Sequence, residues 1–393
     1  MIKQILTTLL LLMTFSIANA QYSAKEQKAI QKSKDLYQKK KYDKAVASIK
    51  KVIDAHPYDN DLWQLRTLYE YDRYQDQLMK DLMDLLTKLS KGQSIPANKK
   101  YKYEEYKSDL QLTCITASLL CDKQTLGSEL LYDFFVKPDV DTAVADDAKD
   151  FYKKGSESMD NKEYSAAIKN FKKALDLQAD YYKAAYNIAN CYREQEDWEN
   201  AAIYYKRAIK IEPRMLYPYK KLVDVKMKQK DWSGAYDACI NGIICYPDVE
   251  LFNSMSEICE KRGKTFNRHW MSRTSIPNMI NSNQDPISSE PWSHYRSAKD
   301  KISNYTNDIG YIKRSNSLTE QKYLESYSWE HMLSKSDSQD GEFKFARKAN
   351  KNGYLDCYAF ISMYHIMFNR QYSHFAEKNE DRIRTFFDEM LVE

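Results

Sequence analysis

The sequence predicts an all-α chain: a solenoid of stacked helical hairpins followed by a small C-terminal helical module. Three observations carry this. Gly and Pro number nine each in 393 residues, too few for a turn-rich β protein, while 43% apolar residues suffice for a core. Small and aromatic residues recur at a step of thirty-four between Tyr164 and Pro247. That phase is lost beyond "TSIPNMINSNQDPISSEP" at 274–291, a Ser/Asn/Pro-rich break that reads as a linker.

Taken in order, residues 1–20 read as a signal peptide. Lys3 precedes the apolar run "ILTTLLLLMTFSIA", and Ala18-Asn19-Ala20 fits small-x-small cleavage, so the mature chain is expected to begin at Gln21. The run is shorter than the ~20 residues of a spanning helix, and no later segment approaches that length, so no stable membrane insertion of the mature chain is expected. No Cys follows it to carry a lipid anchor. The short leader and lysine-rich composition look bacterial, which predicts an exported, periplasmic or outer-membrane-associated protein. The net charge of +4, from 60 basic and 56 acidic residues, is too weak to suggest nucleic acid. Seven cysteines without a C-x-x-C indicate neither a disulfide scaffold nor a zinc knuckle, and buried thiols are expected.

The N-terminal block, 21–91, contains one repeat-like unit at "YDKAVASIKKVIDAHP", with Tyr42, Ala45, Ile49, Val52 and Pro57 in register. A degenerate unit follows, with Trp63 at its start and Leu65, Leu68, Leu78, Leu82, Leu85 and Leu86 at helical spacing. Residues 92–147 read as a bridge, with helices near 103–121 and 124–136. The main array spans 148–273 as units 148–181, 182–215, 216–249 and a partial 250–273. Within it the step links Tyr164, Trp198 and Trp232, then Ala167, Ala201 and Ala235, then Phe171, Tyr205 and Cys239. Small residues let two helices approach where Gly155 faces Ala167, Ala189 faces Ala201 and Val223 faces Ala235, and the large ones fill the adjacent gaps. Asp197 and Asp231 stand where they can cap second helices, and Pro213 and Pro247 end their units.

These residues resemble the tetratricopeptide repeat (TPR) family, whose pattern the middle unit meets except at Ala185. The first unit departs at Ser158 and Ala179, the third at Val223, Lys226 and Cys239. The resemblance implies that first helices line a concave groove gripping a protein or peptide partner. Carried over position by position, that surface holds Lys149, Tyr152, Ser156, Met159 and Asp160, then Lys183, Tyr186, Asn187, Asn190, Arg193 and Glu194, then Tyr217, Lys220, Asp224, Met227 and Lys228. Bases outnumber acids on it, which favours an extended segment with some negative charge. The carboxylate clamp of some members is matched only by Asn187 and Lys221, with Tyr152 and Ser156 where its Lys and Asn belong. Facing positions of stacked units would also bring Cys239 and Cys259 together, as buried thiols or as a disulfide.

Beyond the linker, residues 292–393 are expected to form a helical module, with helices at 292–308, 319–333, 343–350, 355–376 and 380–391. The nearly all-apolar "LDCYAFISMYHIMF", 355–368, reads as its buried central helix. The six histidines show no ligand spacing. Cys357 and His365 would lie roughly 12 Å apart on one helix, beyond thiol activation. "SDSQDGE" lacks the ligand alternation of a calcium loop, and "DVDTAVADDAKD" reads as a solvated loop and helix start. No metal, cofactor or catalytic activity is expected. The chain reads as an exported scaffold for protein–protein interaction in the cell envelope, associated with an envelope complex. The alternative is a ligand-binding or enzymatic C-terminal module that the array positions.

Overall fold

In a computed structural model, the described residues are 22–57, 59–91, 93, 100–120, 130–140, 144–267, 292–302, 323–338, 341–364 and 369–393. The expected signal peptide, the 274–291 linker, Cys121, His269 and His365 lie outside them. Two compact units divide at Phe135 and Val136.

In the N-terminal unit, α1 (Ala24–Gln38) starts on a capping box in which Ser23 and Glu26 satisfy each other's backbone N–H groups. It pairs with α2 (Tyr42–Ile53) around Ile30, Ala45, Ile49 and Val52, all buried with Trp63 and Tyr69. The degenerate unit differs from expectation. No Gly or Pro interrupts the chain after Trp63, so α3 runs unbroken for 31 residues, Asn60–Ser90. Its packing partners are α2 and α4 (Lys102–Leu120), so the expected bridge helix belongs to this unit's own packing. Leu65 and Leu68 are buried, whereas Leu82 and Leu86 on the distal half are exposed.

The second unit holds the repeats: α5 (Asp146–Asp160) with α6 (Tyr164–Leu177), α7 (Tyr182–Glu194) with α8 (Trp198–Ile211), α9 (Leu216–Lys228) with α10 (Trp232–Cys245), then α11 (Val249–Lys261). The small residues do what their size permits. Ala167, Ala189, Ala201 and Ala235 are fully buried, and a Cβ on Gly155 would stand 2.6 Å from Phe171 Cδ1. Asp197 accepts from the Asn200 N–H at 3.1 Å and Asp231 from the Gly234 N–H at 2.9 Å, as their positions predict.

The hairpin turns hold a feature with no glycine to announce it. Lys162, Glu196 and Lys230 are left-handed, with φ of 62°, 60° and 57°. The next residue then closes the first helix from five positions on, Asp197 N to Tyr192 O at 2.9 Å and Asp231 N to Lys226 O at 3.0 Å. Each left-handed side chain costs roughly 1–2 kcal/mol, which the hairpin packing offsets.

At the C-terminal end, α12 (Trp292–Ile302), α13 (Leu324–Lys335) and α14 (Gly341–Lys351) surround Trp292, Tyr295, Trp329 and Phe343 in edge and tilted ring contacts. Buried Glu325 is held among them by Lys299 Nζ at 2.8 Å and by the Tyr295 hydroxyl. The single helix expected over 355–376 is not formed. Leu355–Cys357 continues into a π-helical turn, Tyr358–Ser362, which ends as Met363 N–H donates back to Tyr358 O at 3.2 Å. The all-apolar composition fixed burial there without fixing a helical period. After residues 365–368, outside the described set, come α15 (Asn369–Lys378) and α16 (Glu380–Phe386), the latter extended by a π turn to Leu391.

These last helices close onto the repeats. The Tyr372 hydroxyl donates to Ile243 O at 2.5 Å, Tyr236 donates to Asp388 at 2.6 Å, and Arg384 reaches Asn241. Phe266 and Val392 form an antiparallel bridge, with Thr265 and Glu393 exchanging N–H···O bonds of 2.8 and 2.9 Å.

Two glycine exchanges should move stability in opposite directions. Gly155→Ala gains about 1 kcal/mol of helix propensity but overpacks Phe171 at a cost of about 1–3 kcal/mol, so its Tm should fall. Glu196→Gly relieves a left-handed side chain and should raise Tm, by up to about 1 kcal/mol of stability. A pH prediction follows from Asp231, whose carboxyl lies below its ordinary 3.8 because Lys226 Nζ and then the Gly234 N–H bond it. Its contribution is therefore present above that ordinary value and lost as pH falls through the lower, folded-state value. Denaturant titrations of Asp231→Asn and wild type should converge in acid and differ at neutral pH.

Candidate peptide-binding groove

The first helices of successive hairpins lie side by side, joined by polar contacts along one face. The Asn187 side-chain amide donates to the Tyr152 hydroxyl at 2.9 Å, joining α5 to α7. The Tyr205 hydroxyl donates to Asn190 Oδ1 at 2.7 Å, and Asn190 Nδ2 lies 3.4 Å from Asn187 Oδ1. One chain of bonds thus runs Tyr205, Asn190, Asn187, Tyr152 through two repeats. Between α9 and α11, Lys220 bridges Asp248 at 3.4 Å and Glu250.

Aromatic rings fill the space behind this chain. Tyr152 packs on Phe171 and Tyr181 with centroids 5.3 and 5.1 Å apart, and Tyr186 stacks on Tyr182 at 5.9 Å and tilts against Tyr205 at 5.8 Å. Burial pushes the hydroxyls of Tyr152 and Tyr186 up, so both remain neutral at physiological pH.

The charged residues expected on this surface fall into distinct situations. Lys149 is exposed, with Asp146 at 3.0 Å, and Lys228 is exposed at the end of α9. Arg193 pairs with Glu194 at 2.5 Å. Asp224 stands 3.8 Å from Lys221, and partial burial pushes its carboxyl up against the pull of that lysine. Lys183 titrates below the ordinary lysine value, first through burial and then through Lys137. Lys137 also lies over the Tyr217 ring at 5.6 Å, so part of the face meets the chain's own 137–140 segment. The spacing of the repeats carried no signal of this, because that segment precedes them.

Cys239 and Cys259 are both buried, as the repeat register requires, and they are free thiols. The disulfide alternative is therefore not formed here: the Cys239 thiol donates to Leu251 O at 3.1 Å, and burial first, then Cys259, raises it well above the ordinary thiol value. A cleft of about 900 Å³ between the repeats and α15 is lined by Glu212, Arg214, Arg370, His374 and Glu380. Its charges alternate rather than converge. Among the described residues, no group of three His, Cys, Asp or Glu side chains is placed to hold a metal ion.

A family model described as tetratricopeptide repeat matches residues 152–215. No curated protein sequence matches the chain. Among solved structures, the Sgt2 TPR domain from Aspergillus fumigatus is similar at 18% identity, covering 39% of this chain and 95% of that one, with a TM-score of 0.29. A complex of the yeast Sti1 TPR2AB domain with pHSP90 is similar at 14% identity, covering 60% of this chain and 96% of that one, TM-score 0.25. The P58(IPK) TPR domain is similar at 12% identity over 93% of this chain and all of its own 100%, TM-score 0.24. Residues 152–215 are thus matched as tetratricopeptide repeats, and the hairpins that adjoin them keep the same thirty-four-residue step.

Proposed function

We propose that this chain is an exported bacterial TPR scaffold that docks a protein partner along the face of its first helices. One observation carries the reading: the bonded chain Tyr205, Asn190, Asn187, Tyr152 holds polar side chains in fixed positions across two repeats. A segment laid on such a face orders few side chains as it binds, which preserves more of the contact energy. Arg193 and Asp224 lie within electrostatic reach of Tyr205 at one end of that chain. The cations Lys149, Lys183, Arg193 and Lys228 of the first helices outnumber Asp224 and favour an extended segment bearing some negative charge. The leader-like residues 1–20 support export, and with it a periplasmic or outer-membrane-associated place beside an envelope complex. The bonds from Tyr372, Arg384 and Asp388 to the third repeat support a cap role for the C-terminal helices within the scaffold.

The test is crosslinking and mass spectrometry of the mature chain in its native envelope, with a variant carrying Arg193→Glu, Asp224→Lys and Lys228→Glu. These side chains lie outside the Tyr–Asn chain, so the variant should keep its helical content and Tm. A discrete partner recovered with wild type and lost with the variant is the expected result. Equal recovery by both would refute the groove as the docking site, and recovery of the chain from the cytosolic fraction would refute export.

A further inference from the structure

Every αα turn in the array repeats one geometry, and one of them breaks its chemistry. The residues immediately preceding the second helices are Lys41, Glu163, Asp197 and Asp231. An acid is suited there, because it satisfies free N–H groups and the positive helix end. In the N-terminal unit the position is Lys41; no side chain caps α2, and Glu163 does not cap α6 either, so what sets this turn apart is the sign of its charge. The preceding residue, Lys40, adopts the same left-handed conformation as its counterparts, with φ of 54°. The backbone motif is thus kept while its usual electrostatics are inverted. A local rule broken without a structural gain marks a functional position.

The neighbourhood enlarges the inversion. A pocket of about 400 Å³ opens at this turn, lined by six cations against two carboxylates. Both carboxylates are already engaged: Asp43 by Arg73 at 2.8 Å, and Asp76 by Lys40 at 3.0 Å and the Tyr42 hydroxyl at 2.9 Å. Lys41, Lys44, Lys80 and Lys102 line the same pocket beside the uncapped helix end. Arg73 is only 9% exposed, held by Asp43 and by Asp109 at 2.8 Å, with its guanidinium 4.1 Å from the Tyr106 ring centroid. Its Nε–H is buried and has no partner. With both carboxylates engaged, the surplus of positive charge lining the pocket calls for an anionic ligand.

We propose that this pocket binds a phosphoryl group. A single carboxylate would leave most of the convergent charge uncompensated. A phosphoryl group brings up to two negative charges and several acceptor oxygens, enough for ammonium groups and helix N–H donors together. The group comes either from a small soluble phosphate or from a phospholipid headgroup, and the two sources share this chemistry. The site is built from residues 40–106 of the N-terminal unit and shares none with the docking groove, so it stands or falls independently of that reading.

The test titrates the full mature chain with inorganic phosphate at low ionic strength by calorimetry. In parallel, the chain is co-sedimented with phosphatidylcholine vesicles with and without phosphatidic acid. Lys41→Asp restores the acid that the other turns carry, so it should raise Tm while weakening binding about tenfold or more. Lys169→Asp, the same charge change on exposed α6, should leave binding unchanged. Saturable phosphate binding with this pattern assigns the pocket to a soluble phosphate. Binding confined to phosphatidic acid vesicles, with the same pattern, assigns it to a lipid headgroup. Absence of both, or equal weakening by the two variants, overturns the proposal.

Discussion

The close approach of two helices within each hairpin is the constraint on which the array depends. Gly155 has no room for a Cβ beside Phe171, and Ala189, Ala201 and Ala235 are buried without remainder. A short interaxial distance lets one large ring fill the gap behind it, and that filled gap is the surface on which the next hairpin stacks. Stacking then repeats because the residue pattern repeats. The left-handed turns at Lys162, Glu196 and Lys230 are a consequence: packing strong enough to hold two helices together also holds a side chain where glycine would be easier.

Stacking in turn creates the face. Once α5, α7 and α9 lie in a row, Tyr152, Asn187 and Asn190 fall within bonding distance of residues in other helices, and their polar groups are satisfied inside the array. Side chains that a single repeat would leave solvated become a fixed relief. At the other end, the C-terminal helices bond to backbone carbonyls of α10 through Tyr372, covering apolar surface that the last complete hairpin would expose. A solenoid needs such a terminal cover, because each repeat buries only the face that a neighbour supplies.

Much of this was legible because it is periodic. The thirty-four-residue step located the hairpins, the Asp caps and the buried small residues from Tyr164 to Pro247. What escaped was aperiodic. An unbroken α3 arises where no Gly or Pro interrupts the chain, so leucines at helical spacing could not mark an end. The π-helical turn at Tyr358–Ser362 sits in an all-apolar stretch whose composition fixes burial but no helical phase. Of the expected groove residues, Lys149 and Lys228 stand exposed, whereas Asn187, Asn190 and Lys220 bond to neighbouring helices. Lys137 over Tyr217 and the α10 contacts of Tyr372 and Asp388 depend on residues distant in sequence, which no single-repeat register contains.

Hydrogen exchange of the mature chain, resolved by helix, tests most directly whether hairpins and C-terminal cover form one cooperative scaffold. Amides of α15 and α16 should share the slow exchange of α10, because they open only when the third repeat opens. Rapid exchange in α15 and α16 beside a protected α10 would contradict the account, leaving the C-terminal helices as an independent attachment.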